Sequence, residues 1–94
     1  MKPIRFNKDK DKVLKEKRGI GFKDVIKEMG AGKIVTVRKH PNTKKFPSQK
    51  IMLINIKNYI FVIPYIETEK EIFLKTIYKS RKYTKEFINK KKQL

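Results

Sequence analysis

The hydrophobic positions of this chain change period near its middle. Phe22, Val25, Ile26 and Met29 fall at i, i+3, i+4 and i+7, the stripe of a helix with one buried face. A helix is predicted over Phe22 to Met29, ended by Gly30 and Gly32. Ahead of it, residues 3–6 read as an extended lead-in and Asn7 as an N-cap, with Asp9 and Asp11 placed to suit the positive end of a helix dipole. This first helix runs to about Lys17 on a thin stripe of Val13 and Leu14, and Arg18-Gly19 stops it.

Strand signals come next. Ile34 to Val37 is β-branched throughout and closes at His40-Pro41-Asn42. Residues 42–49, NTKKFPSQ, read as a polar loop anchored by Phe46. Ile51 to Ile56 is a second strand, Lys57-Asn58 a two-residue hairpin, and Tyr59 to Ile66 a third strand. That third strand is apolar on both faces, so it is central, and Pro64 marks a bulge or a strand end in it. Glu67 to Lys70 turns the chain into a fourth strand, Ile72 to Tyr78. A closing helix from Ser80 to about Lys90 carries Tyr83 and Phe87, and the tail KKKQL is expected to fray. The predicted order is α-α-β-β-β-β-α: a single α+β domain over residues 1–94, with a four-stranded antiparallel sheet and its helices grouped on one face.

Charge changes the picture more than length does. The 94 residues carry a net charge of +17, and 37% of them are charged against 38% hydrophobic. A surface of that density seeks polyanions: nucleic acid, acidic lipid or an acidic protein. Lys outnumbers Arg 22 to 4, the usage of an AT-rich genome, so a merely solvated lysine surface is the competing explanation. No cysteine is present, which removes disulfides and thiolate chemistry, and a single histidine makes no zinc site. No cofactor is expected. The start MKPIRFNKDKDK lacks the apolar core of a signal peptide, and the apolar run from Tyr59 to Ile66 is far below the roughly 20 residues that span a bilayer. A cytoplasmic protein without membrane attachment is expected.

Two motifs fail on inspection. Asn7 to Asp11 resembles the opening of a calcium loop, but Lys12 and Arg18 stand where Gly and Glu are required. The segment GAGK lacks the glycine spacing of a phosphate loop, and Ile34 replaces its Ser or Thr. His40 is a candidate general base or acid by residue type, and it also sits where a turn residue belongs.

Residues 75–92 hold eight basic side chains against one acid, Glu86. On an extended segment Lys75, Ile77 and Lys79 share one face. On a helix starting at Ser80, Arg81 pairs with Lys85 and Lys82 with Glu86, four apart. Cations from strand end and helix start thus converge near Ser80, whose cap position leaves backbone N–H groups for an anion. Tyr78 or Tyr83 has the ring to stack on a base, while the core competes for Tyr83.

The stretch IRFNKDKDKVLKEKRGIGFKDV, through Phe6, Asn7, Lys12, Gly19, Ile20 and Phe22, resembles the opening of BrnT-type toxins. SRKYTKEF resembles the same family's closing motif through Arg81, Lys82 and Thr84. The resemblance implies a RelE-like fold and a ribonuclease toxin of a type II toxin–antitoxin pair. Its implied partners are RNA and a BrnA-like antitoxin with a ribbon-helix-helix part, which alone contacts DNA. One departure matters. The family often has an Arg five residues before the motif Arg, where this chain has Thr76, and Lys75 lies one further back. Lys75 inherits that role only if a bulge restores the register.

Metal-free RNA cleavage needs the 2′-OH deprotonated, the phosphorane charge stabilised and the 5′-oxygen protonated. Arg81 and Lys75 are the expected phosphate stabilisers, with Lys79, Lys82, Lys85 and Ser80 binding the RNA backbone. His40 or Glu86 is the candidate base, and Tyr78 the candidate proton donor. The alternatives are a non-catalytic nucleic-acid-binding module, with steeply salt-dependent phosphate contacts, and an accessory protein that binds only an acidic partner.

Overall fold

Asn7 starts the first helix by accepting the N–H of Lys10 at 2.9 Å. The computed structural model describes residues 2–88. Within them α1 spans Lys8–Arg18 and α2 spans Phe22–Gly30. Gly19 ends α1 with φ 73°, a left-handed conformation that glycine adopts without a Cβ penalty. Asp11 does more than complement a dipole: its Oδ1 accepts the N–H of Phe22 at 2.6 Å, so α1 caps α2. Gly21 belongs beside it, because a Cβ there would lie 2.5 Å from that oxygen.

Asp24 closes the same corner, accepting the Gly21 N–H at 2.8 Å and pairing with Lys15 at 2.8 Å. The Gly21 N–H and the Lys15 ammonium hold its carboxyl below the usual carboxylate range. A depressed folded pKa contributes stability that is present above the unfolded value and is lost as pH falls through the folded one. Asp24→Asn keeps an acceptor for Gly21 but has no charge to titrate. We expect the wild-type chain to lose more stability than Asp24→Asn between pH 5 and pH 3 in urea denaturation. The difference is expected to stay under about 1 kcal/mol, since the pair is partly exposed. Equal losses would remove the assignment.

The sheet departs from the four antiparallel strands expected. The lead-in is itself a strand, β1 (Ile4–Phe6), followed after the helices by β2 (Ile34–Lys39), β3 (Lys50–Ile56) and β4 (Tyr59–Glu67). The expected last strand is split into β5 (Ile72–Leu74) and β6 (Tyr78–Lys79), and α3 (Arg81–Phe87) comes after them. The order is β1-β5-β4-β3-β2, with β6 also on β4, and β1 runs parallel to β5. The fold is therefore α+β with a mixed sheet. Lys57 and Asn58, both at positive φ, form the hairpin expected between β3 and β4. The expected end of the closing helix, and its tail, lie outside the described residues.

Pro64 explains the split. The strand runs straight through it, but its carbonyl accepts the Lys75 N–H at 2.8 Å, so its ring nitrogen also faces β5 and β6. A residue without an N–H cannot continue the ladder on that side. Leu74 lies opposite Tyr65 and Tyr78 opposite Val62, so one extra residue is accommodated there. The bulge reverses the faces of the residues beyond it.

The helices also divide, contrary to the one-face grouping expected. Leu14, Phe22 and Val25 pack with Met52, Ile54, Phe61, Ile63 and Leu74 on one face of the sheet. Ile51, Leu53, Ile60 and Val62 point to the other face, where Tyr78, Tyr83 and Phe87 cover them. A central strand that is apolar on both sides needs a cover on each. Among the described residues, no helix is long and apolar enough to cross a membrane.

Candidate nucleic-acid interface

Ser80 begins α3, its Oγ accepting the N–H of Tyr83 at 3.0 Å. Thr84, buried, ties the helix down: its Oγ1 accepts the N–H of Ile60 at 2.9 Å and donates to the Ser80 carbonyl at 2.6 Å. The bond to Ile60, with the Ser80 N–H donated to the Ile60 carbonyl at 3.0 Å, fixes which flank of α3 looks along the sheet. That flank carries Tyr83, Glu86 and Phe87.

Arg38 of β2 meets it. Its register partner is Ile51, which places it on the α3 face. The guanidinium carbon lies 5.5 Å from the Tyr83 ring centroid and 5.0 Å from that of Phe87, and Nη1 lies 3.1 Å from Glu86 Oε2. A planar cation against two rings and a carboxylate is oriented as well as charged. Lys82 adds a second cation, its Nζ 5.6 Å from the Tyr83 centroid. Tyr78 packs beneath the same helix, and burial, with Tyr83 nearby, pushes its phenol above the ordinary value. It stays a protonated hydrogen-bond donor through neutral pH.

His40 follows Arg38 by two residues and continues the same strand face. Its backbone N–H donates to Gln49 at 3.1 Å, its Nδ1 accepts the Asn42 N–H at 3.0 Å, and its ring lies 4.5 Å from that of Phe46. Further bonds, Lys45 N–H to Asn42 Oδ1 and Phe46 N–H to the Asn42 carbonyl, make residues 40–49 a structured loop. An accepting Nδ1 leaves the proton of the neutral ring on Nε2, so His40 offers a donor rather than a base.

The bulge settles where Lys75 sits. It stays on the α3 face beside Phe73, with Nζ 5.3 Å from that ring, and Tyr78 is turned to the same face. Arg38, Ile51, Pro64 and Lys75 form one row across the sheet. Arg38, His40, Lys75, Tyr78, Lys82 and Glu86 therefore share one side of the molecule.

Three expected contributors lie elsewhere. Lys79 turns to the α1/α2 side, with Nζ 5.6 Å from the Tyr59 ring. Arg81 is about 200° around α3 from Tyr83, and Lys85 shares its outer flank. Ser80 takes the N-cap position expected of it, its Oγ accepting the Tyr83 N–H. Arg38 is the residue that sequence reasoning missed. Its signal was the alternation Thr36, Arg38, His40, which puts a guanidinium on the histidine's face. Among the described residues, no three His, Cys, Asp or Glu side chains gather as a metal site requires. No family model, curated protein or solved structure matches the chain.

Proposed function

We propose that this chain is a ribonuclease toxin of the BrnT and RelE kind, which holds RNA across the α3 face and is neutralised by an acidic antitoxin. The observation that carries this reading is Arg38, a guanidinium seated on Tyr83 and Phe87 and aimed by Glu86, beside His40 and in the row of Lys75. The phosphate role expected of Arg81 passes to Arg38, and Arg81 remains an outer contact to the RNA backbone.

In this reading the scissile phosphate sits at Arg38, whose charge opposes the developing phosphorane charge, and Lys75, three strands along the same row, holds a neighbouring phosphate. Glu86 takes the proton of the 2′-OH as its oxygen bonds to phosphorus. His40 holds a phosphate oxygen through its Nε2–H, and a water molecule protonates the 5′-oxygen as the P–O5′ bond breaks. The products are a 2′,3′-cyclic phosphate and a 5′-hydroxyl.

The test is incubation of the purified chain with total RNA in EDTA. The expected result is fragments ending in 2′,3′-cyclic phosphate, with activity lost on adding the antitoxin. Intact RNA at stoichiometric protein would sink the cleavage reading. One observation favours a second reading, a binding module without catalysis. Glu86 is already engaged by Arg38, and His40 Nδ1 by the Asn42 N–H. RNA bound but uncut would establish that module instead.

A further inference from the structure

The opposite side of the sheet carries a groove that this reading does not use. Two adjoining hollows, of about 550 and about 420 Å³, share Arg18, Ile20, Phe61 and Lys79 and so form one trough between α1, α2 and the β4–β6 edge. Lys57 of the hairpin stands at one end and Lys17 at the other. Arg18 is fixed midway by donating Nη1 to the Ile77 carbonyl. Lys79 projects over the aromatic wall, 5.6 Å from Tyr59 and 6.0 Å from Phe61. Of the acids present, Asp24 is bound to Lys15 and the Gly21 N–H, which leaves Glu28 at the rim.

We propose that this groove binds single-stranded nucleic acid, with Tyr59 stacking a base and Lys57, Arg18 and Lys79 contacting successive phosphates. Cations strung along a trough with a ring in its wall suit a polymer that alternates anions with planar bases. An acidic peptide would use the cations and leave Tyr59 without a planar partner. Phe61 is only 8% exposed and forms the floor, so Tyr59 is the stacking ring. The groove faces away from Arg38, and its occupation stands independently of cleavage on the α3 face.

The test uses the full chain and a fluorescein-labelled ten-nucleotide oligodeoxythymidine, titrated by anisotropy at several salt concentrations. The probe has no 2′-OH, so it cannot be cut by the proposed reaction, and failure here is separate from failure there. Lys57→Ala with Lys79→Ala is expected to weaken binding at least tenfold. It should also lower the slope of log affinity on log salt by about 1.4, at about 0.7 per phosphate contact. Tyr59→Leu keeps an apolar wall and is expected to cost about tenfold with the slope unchanged. Lys8→Ala with Lys12→Ala, on α1 outside the groove, is the matched charge control and should lose far less. An equal loss in the control pair, or full affinity in Tyr59→Leu, overturns the proposal. So does a ten-residue polyglutamate whose binding, unlike that of the oligonucleotide, depends on these groove residues.

Discussion

If the proposed ribonuclease reading holds, Arg38→Ala is expected to lower RNA cleavage by about 10²–10³-fold, the usual effect of removing one aligned donor to a developing anion. The loss exceeds what the lysines on that face can repair, because an ammonium has no planar fork to align with the anion. Arg38 is oriented by Glu86 at 3.1 Å and by two rings at 5.0 and 5.5 Å. Arg38→Lys separates charge from geometry: an ammonium keeps the attraction for RNA but not the planar fork. It is expected to bind RNA within a few-fold of wild type while cleaving close to the level of Arg38→Ala. Stability should fall by only about 1 kcal/mol in either variant, since the Arg38 and Glu86 side chains are both partly exposed. Single-turnover cleavage of a labelled RNA, read beside urea denaturation, checks both parts. Cleavage by Arg38→Ala within twofold of wild type would remove Arg38 from the site.

The features legible in the sequence are those written locally. The stripe of Phe22, Val25, Ile26 and Met29 placed α2, and Lys57-Asn58 placed the hairpin, because each depends on residues within a turn or two. The parallel partner of β1 was not legible: three residues carry no usable period, and Ile4 pairs with Ile72, far along the chain. The position of α3 could have been deduced. A strand apolar on both faces cannot leave one of them bare, so grouping every helix on one side contradicted the reading of β4. The bulge was half legible too. Pro64 signals a bulge or strand end in its own strand, and the disturbance falls instead on the neighbouring one, between Leu74 and Tyr78. What no local pattern gave was the meeting of Arg38 with Glu86. It arises only once α3 is laid across the sheet.

That placement rests on one buried hydroxyl beside the Ser80–Ile60 backbone bond and the apolar face of α3, so Thr84→Val is the second large expected effect. Thr84 is 6% exposed, and its Oγ1 is the acceptor for the Ile60 N–H at 2.9 Å. Valine matches threonine in shape but offers no acceptor, which leaves a buried amide unpaired at about 1–3 kcal/mol. Thr84→Ser keeps the oxygen and loses a methyl group, for about 1 kcal/mol. Valine is therefore expected to be the worse replacement, although it is the more hydrophobic; on apolar burial alone the order would be reversed. The consequence reaches the site, because α3 carries Tyr83, Glu86 and Phe87, the seat on which Arg38 is oriented. In Thr84→Val the Ile60 amide should exchange hydrogen faster, and cleavage should drop even where urea denaturation shows the chain folded. The Ser variant should stay near wild type in both. A Val variant as stable as wild type, with Ile60 still protected, would show that α3 is held by its apolar face and the Ser80–Ile60 backbone bond without the hydroxyl.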